Sequence, residues 1–145
     1  MKTPSLPPVF VSNRQRLIKV DRASLEQFAQ RAIPFCAREP GRGLTNLDEL
    51  NVILISDRRM AEMHRRFMGI TGATDVITFQ HGEILISVET ARRQAKTCRT
   101  SLEHELRLYL VHGLLHLRGF NDAKPAGRAR MKRTQEKIVA RAAQG

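Results

Sequence analysis

The chain has 145 residues, enough for one domain with its own core, and its 41 % hydrophobic and 27 % charged residues exclude collagen-like, fibrous and wholly disordered classes. No stretch reaches the ~20 apolar residues of a membrane span, and the opening MKTPSLPPVF has no apolar secretory segment, so the expectation is one cytoplasmic domain over 1–145, with residues 1–8 frayed. Twenty-five Lys and Arg against fourteen Asp and Glu leave +11, a balance that attracts polyanions, nucleic acid above all.

In chain order, residues 9–20 alternate loosely and predict a first strand, interrupted near Asn13. Asp21 caps a helix through about Arg38, with Leu25, Phe28, Ala29 and Ala32 at helical spacing. EPGRG at 39–43 stops it. LNVILI at 50–55 is apolar throughout and reads as a central strand. Ser56 or Asp57 then caps a helix of about three turns bearing Met60, Met63 and Phe67 on one face. Gly69 and Gly72 bracket a loop. TDVITF at 74–79 and EILISV at 83–88, joined by a short polar turn, predict an antiparallel hairpin.

Thr90 to Cys98 reads as another helix. Thr100 and Glu103 have the spacing of a capping box. They open a helix that runs to Leu117 and stops at Gly119, where a glycine C-cap belongs. A last, basic helix starts near Arg128. The segment 124–141 carries seven basic residues and one acid, a face suited to RNA or DNA. One Tyr and no Trp argue against an extended base-stacking platform. The order predicts an α/β (α+β) fold, a mixed sheet of about four strands with packed helices. Cys36 and Cys98 form no CxxC and read as reduced thiols.

The chemistry concentrates in His112-Gly-Leu-Leu-His116-Leu-Arg-Gly119-Phe-Asn-Asp122. Histidines four apart on a helix lie about 40° apart on its surface, one turn from each other, so both can reach one ion. Gly119 turns the chain back, and Asp122 follows close enough to add a carboxylate. Two imidazoles and a carboxylate suit zinc in an open catalytic site, with manganese or iron as other divalent occupants. Zinc peptidases place a glutamate directly after the first histidine. Here that position is Gly113, which disfavours peptidase chemistry. A helix glycine costs about 1 kcal/mol against alanine, so a close approach there is expected.

This stretch resembles the HGxLHLxGYDH signature of the YbeY family of endoribonucleases, or rRNA maturation factors. Upstream, Thr74 to Phe79 resembles the family's TDVLSF, and Gly82 to Ser87 resembles GDIxIS. The resemblance covers roughly residues 50–140. It implies a small α/β domain with one zinc ion at His112, His116 and the third motif position. It also implies single-stranded RNA cleavage in 16S rRNA 3′-end maturation, with rRNA and the small ribosomal subunit as partners. The third histidine of the signature is Asp122 here. The arginine expected just before the next loop, proposed to act on phosphate, aligns with Met68, and Arg65, Arg66 or Arg118 could substitute.

Glu105, seven residues before His112, lies about 20° off the same helical face and is a candidate base or partner for a histidine N–H. His104 lies ~80° from His112, poorly placed for a ligand. His64, His81 and Asp75 read as bystanders or loop-fixing groups. The competing functions are a non-catalytic RNA- or ribosome-binding maturation factor with a structural metal, and a zinc peptidase.

Overall fold

The computed structural model describes residues 5–70, 72 and 74–144. Residues 1–4 of the lead-in, and 71 and 73 of the glycine-bracketed loop, lie outside the described residues. In chain order the elements are β1 (Val9–Asn13), α1 (Arg22–Ala37), β2 (Leu50–Ile55), α2 (Asp57–Met68), β3 (Val76–Phe79), β4 (Glu83–Ser87), α3 (Val88–Cys98), α4 (Leu102–Leu117) and α5 (Pro125–Ala143). The sheet order is β1-β2-β4-β3. β1 and β4 pair parallel with β2, and β3 pairs antiparallel with β4. The mixed sheet and the hairpin are as the sequence predicts.

Side chains alternate across this sheet, and that sorts the core. Val52, Leu54, Ile84 and Ile86 join the large core with α1, α4 and α5. Ile53, Ile55, Ile77 and Leu85 face the other way and meet Met60 and Met63 of α2. α4 touches α1, α3, α5 and the β3–β4 hairpin. A helix enclosed on so many sides needs apolar residues around most of its circumference. Leu106, Leu110, Val111, Leu114, Leu115 and Leu117 provide them.

Several expected boundaries move, each for a local reason. β1 ends at Asn13 rather than continuing to 20, because the Gln15 amide closes a turn with the backbone N–H and C=O of Ile18. The cap of α4 is Ser101, not Thr100. The Ser101 hydroxyl accepts from the His104 N–H, Thr100 Oγ1 donates to Glu105, and Glu103 accepts from Ser24 and Arg107. α5 starts at Pro125, where a proline in the first turn sacrifices no hydrogen bond. The lead-in is docked from Leu6 onward. Leu6 packs on the core, and the Pro8 carbonyl accepts from the Leu50 N–H at 2.9 Å. Both cysteines are free; burial pushes the Cys36 thiol up to about 12.

Candidate metal centre

His112 and His116 lie on the half-buried flank of α4, with their ring centroids 4.5 Å apart. Just past α4 the chain reverses at Gly119, whose φ of +93° belongs to the left-handed region that glycine occupies without strain. There the Gly119 N–H donates to the His116 carbonyl and the Phe120 N–H to that of Leu115. The reversal brings the Phe120 carbonyl to His116 Nδ1 at 3.1 Å and sends Asp122 back over both rings. On the other ring, His112 Nδ1 lies 3.0 Å from Gln135 Oε1 of α5.

Those two acceptors set the tautomers. A carbonyl oxygen and an amide oxygen each require an N–H, so in the neutral rings both Nδ1 atoms carry the proton and both Nε2 atoms present lone pairs. The Nε2 atoms face each other at 2.9 Å, with Asp122 Oδ2 at 3.5 Å from one and 3.6 Å from the other. Three electron-rich atoms converging this way repel unless a cation or proton lies among them. A triangle with these edges has a circumradius of about 1.9 Å, so a point about 2.0–2.1 Å from all three donors exists just off its plane. That is the bond length zinc takes to imidazole nitrogen and carboxylate oxygen. The donor set therefore fits a tetrahedral ion with one position open. Burial, and secondarily the neighbouring His112, hold the His116 imidazole below its usual range, which favours the neutral form a ligand needs.

The three proposed ligands are thus brought together, and the other sequence candidates lie elsewhere. Glu105 is buried, and its carboxylate accepts from Thr100 Oγ1 at 2.6 Å. The histidine N–H groups it was expected to hold are taken by Gln135 and the Phe120 carbonyl. Arg118 is 6 % exposed and donates to the Arg42 carbonyl, so its guanidinium is not offered to a ligand. Arg65 and Arg66 are exposed near the end of α2. His64 meets the Gly72 carbonyl, His81 pairs with Glu83, and Asp75 accepts from the Val76 N–H.

An open cavity of about 380 Å³ adjoins His116. Met68, Val76 and Phe120 supply apolar wall, and Thr78, Gln80 and Arg42 supply polar groups. Met68 stands at this cavity, so the position expected to hold an arginine does border the site, without a charge. Gly113 explains itself by packing. A Cβ there would lie 2.6 Å from Ile84 Cγ2, so the glycine lets α4 settle on β4.

A family model described as endoribonuclease YbeY matches residues 10–143. The chain belongs to the YbeY family. An endoribonuclease YbeY of Frankia alni is 32 % identical over 152 positions, which take in 91 % of this chain and 81 % of that protein. One from Thermus thermophilus is 39 % identical over 103 positions, 63 % of this chain and 74 % of its own. A solution structure of a Thermotoga maritima protein superposes with a TM-score of 0.64 at 23 % identity, over 92 % of this chain and 88 % of the other, and so shares the fold.

Two residues of this YbeY site escaped the sequence reading. Arg42 comes from the loop after α1, and Gln135 from the middle of α5. Gln135 is expected to tune metal affinity. Gln135→Ala should weaken binding ~10–100-fold, the usual effect of losing a ligand's hydrogen-bond partner, with the fold intact by circular dichroism. Gln135→Glu, which still accepts from Nδ1, should retain it.

Proposed function

We infer that this protein is a zinc-dependent endoribonuclease specific for single strands, acting in rRNA processing at the 3′ end of 16S rRNA and so in ribosome biogenesis in the cytoplasm. The observation that carries this reading is the convergence of two imidazole nitrogens and a carboxylate beside an open cavity, in a chain of the YbeY family. Relatives named endoribonuclease support RNA as the substrate. The small ribosomal subunit is the partner this reading implies.

A divalent ion held by His112, His116 and Asp122 would supply Lewis acidity toward a phosphoryl oxygen and make water nucleophilic at neutral pH. The chain's own residues do the rest. Gln135 and the Phe120 carbonyl each engage an Nδ1 atom, which orients the rings and leaves the Nε2 lone pairs of the neutral imidazoles for the ion. Arg128 donates to the Ala123 carbonyl at 3.1 Å, next to Asp122, and steadies the ligand loop. Arg130 lies over the Phe120 ring at 4.4 Å, so a charge of α5 stands beside the site.

The direct test is cleavage of an unstructured RNA by purified protein, with and without chelator, beside His112→Ala. Cleavage that needs both the metal and His112 supports the reading. Cleavage that survives both removals belongs to a contaminating nuclease, and the reading loses its support. The apolar Met68 favours one second reading, a maturation factor that binds RNA around a structural metal without cutting it. Metal-loaded protein that binds RNA and leaves it whole would establish that alternative.

The basic face of α5 makes a separate, quantitative expectation. Affinity for single-stranded RNA should fall with salt at a log–log slope of about −0.7 per phosphate neutralised. Reversing charge at Arg130 and Lys132 should flatten that slope by about 0.7 for each phosphate no longer neutralised. An unchanged slope would make this face plain solvated surface.

A further inference from the structure

Among the described residues that line the cavity beside the triad, Arg42 alone carries a permanent charge. Its place is set by its backbone. The Arg42 N–H donates to the Arg118 carbonyl at 2.8 Å, and the Arg118 guanidinium donates back to the Arg42 carbonyl. Arg118 is the C-cap of α4, two residues beyond the ligand His116. Next to Arg42, Gly41 runs so close that a Cβ would fall 2.1 Å from the Arg118 carbonyl oxygen. On the other side Leu44 is pinned in the core at 1 % exposure. Buried Arg118 has its Nε without a partner, an arrangement that needs a reason. Its bond to the Arg42 carbonyl gives one, by holding the 41–44 segment against the end of α4.

The clamp delivers the Arg42 side chain to the site. Its Cγ, Nε and Cδ run 3.7–3.9 Å from where a side chain on Gly119 would begin, over the reversal that carries Phe120 and Asp122. One guanidinium nitrogen donates to the neutral Gln80 Oε1 at 3.1 Å. Among the described residues no carboxylate lies within salt-bridge distance of it. A guanidinium has five N–H donors in a planar fork that matches phosphate oxygens. Gln80 occupies one, and the side chain is exposed. The fork is therefore oriented, anchored and without an anion.

We propose that Arg42 grips the scissile phosphodiester of single-stranded RNA beside His116, supplying the fixed positive charge that Met68 does not. The assignment rests on the RNA-cleaving reading above. Charge that builds on the phosphoryl oxygens during attack would then meet a preoriented cation.

The experiment compares the full-length parent with Arg42→Gln and Arg42→Lys. Arg42→Gln should keep its metal stoichiometry and thermal midpoint, since the side chain is exposed and touches no ligand atom. With metal present, its cleavage of an unstructured oligoribonucleotide should fall ~10²-fold. With metal chelated, its RNA-binding salt slope should flatten by about 0.7, one phosphate's share. Arg42→Lys should keep the slope and recover only part of the rate, because an ammonium cannot form the fork. A parent that cleaves while Arg42→Gln matches it in rate and slope overturns the role of Arg42 and leaves the functional reading standing. A parent that neither binds nor cleaves RNA overturns both.

Discussion

His116→Ala should strip the protein of its metal, and cleavage of unstructured RNA should go with it. The parent, purified without chelator, should carry about one transition-metal ion by elemental analysis, zinc being the ion expected. Alanine removes one of three donors and leaves His112 Nε2 and Asp122 Oδ2, 3.5 Å apart, as an incomplete pair. Asp122→His is the contrasting variant. It replaces a carboxylate by an imidazole at a position that already reaches both rings, and it restores the histidine of the family signature. It should retain the ion. Binding in the parent should weaken as pH falls through the imidazole range, since a protonated Nε2 cannot donate to a metal. If His116→Ala and Asp122→His both load metal as the parent does, the triad is not the site.

This triad is legible in the sequence alone, and the reason is locality. His112, His116, Gly119 and Asp122 lie within eleven residues of one another. Helical spacing brings the first two together, the glycine reverses the chain, and the carboxylate follows within reach. No tertiary information enters. The hairpin of β3 and β4 is legible for the same reason, two apolar runs around a short turn.

The supporting cast is not. Gln135 reaches His112 across 23 residues, through the packing of α5 on α4. Arg42 reaches the end of α4 across 76. Neither stands out in a basic chain rich in polar side chains, because its meaning comes from what packs beside it. Arg118 illustrates the converse. Next to the ligand helix it looks available for phosphate, and burial turns it inward to hold a loop. Thr100 and Ser101 are two adjacent hydroxyls competing for one cap, and one residue of helix boundary decides between them.

Gly113 provides the second large effect. A glycine inside a helix requires a reason, and the contact with Ile84 is that reason. Ile84 is fully buried, on a strand with neighbours on both sides, so neither it nor its backbone has room to retreat. A methyl group at 113 would gain about 1 kcal/mol of helix propensity. It would also have to displace Ile84 Cγ2 from 2.6 Å. Forcing a group into a packed core costs ~1–3 kcal/mol, so Gly113→Ala should be less stable on balance. The denaturant midpoint should drop with the slope of the transition unchanged.

Gly113→Glu should do far more. It writes the peptidase pattern HExxH into the chain, yet this position faces the sheet rather than the ligand cluster. The new carboxylate would enter an apolar interface between α4 and β4, and an unpaired charge buried there costs several kcal/mol. Added to the steric term, that approaches the whole ~5–15 kcal/mol stability of an ordinary domain. The expected product is unfolded or insoluble protein, with no casein hydrolysis from whatever remains soluble. A folded Gly113→Glu protein with a parent-like midpoint would show that α4 can lift from β4, and a packing account of this glycine would have to be abandoned. Hydrolysis of casein by that folded variant would go further and return the peptidase reading to consideration.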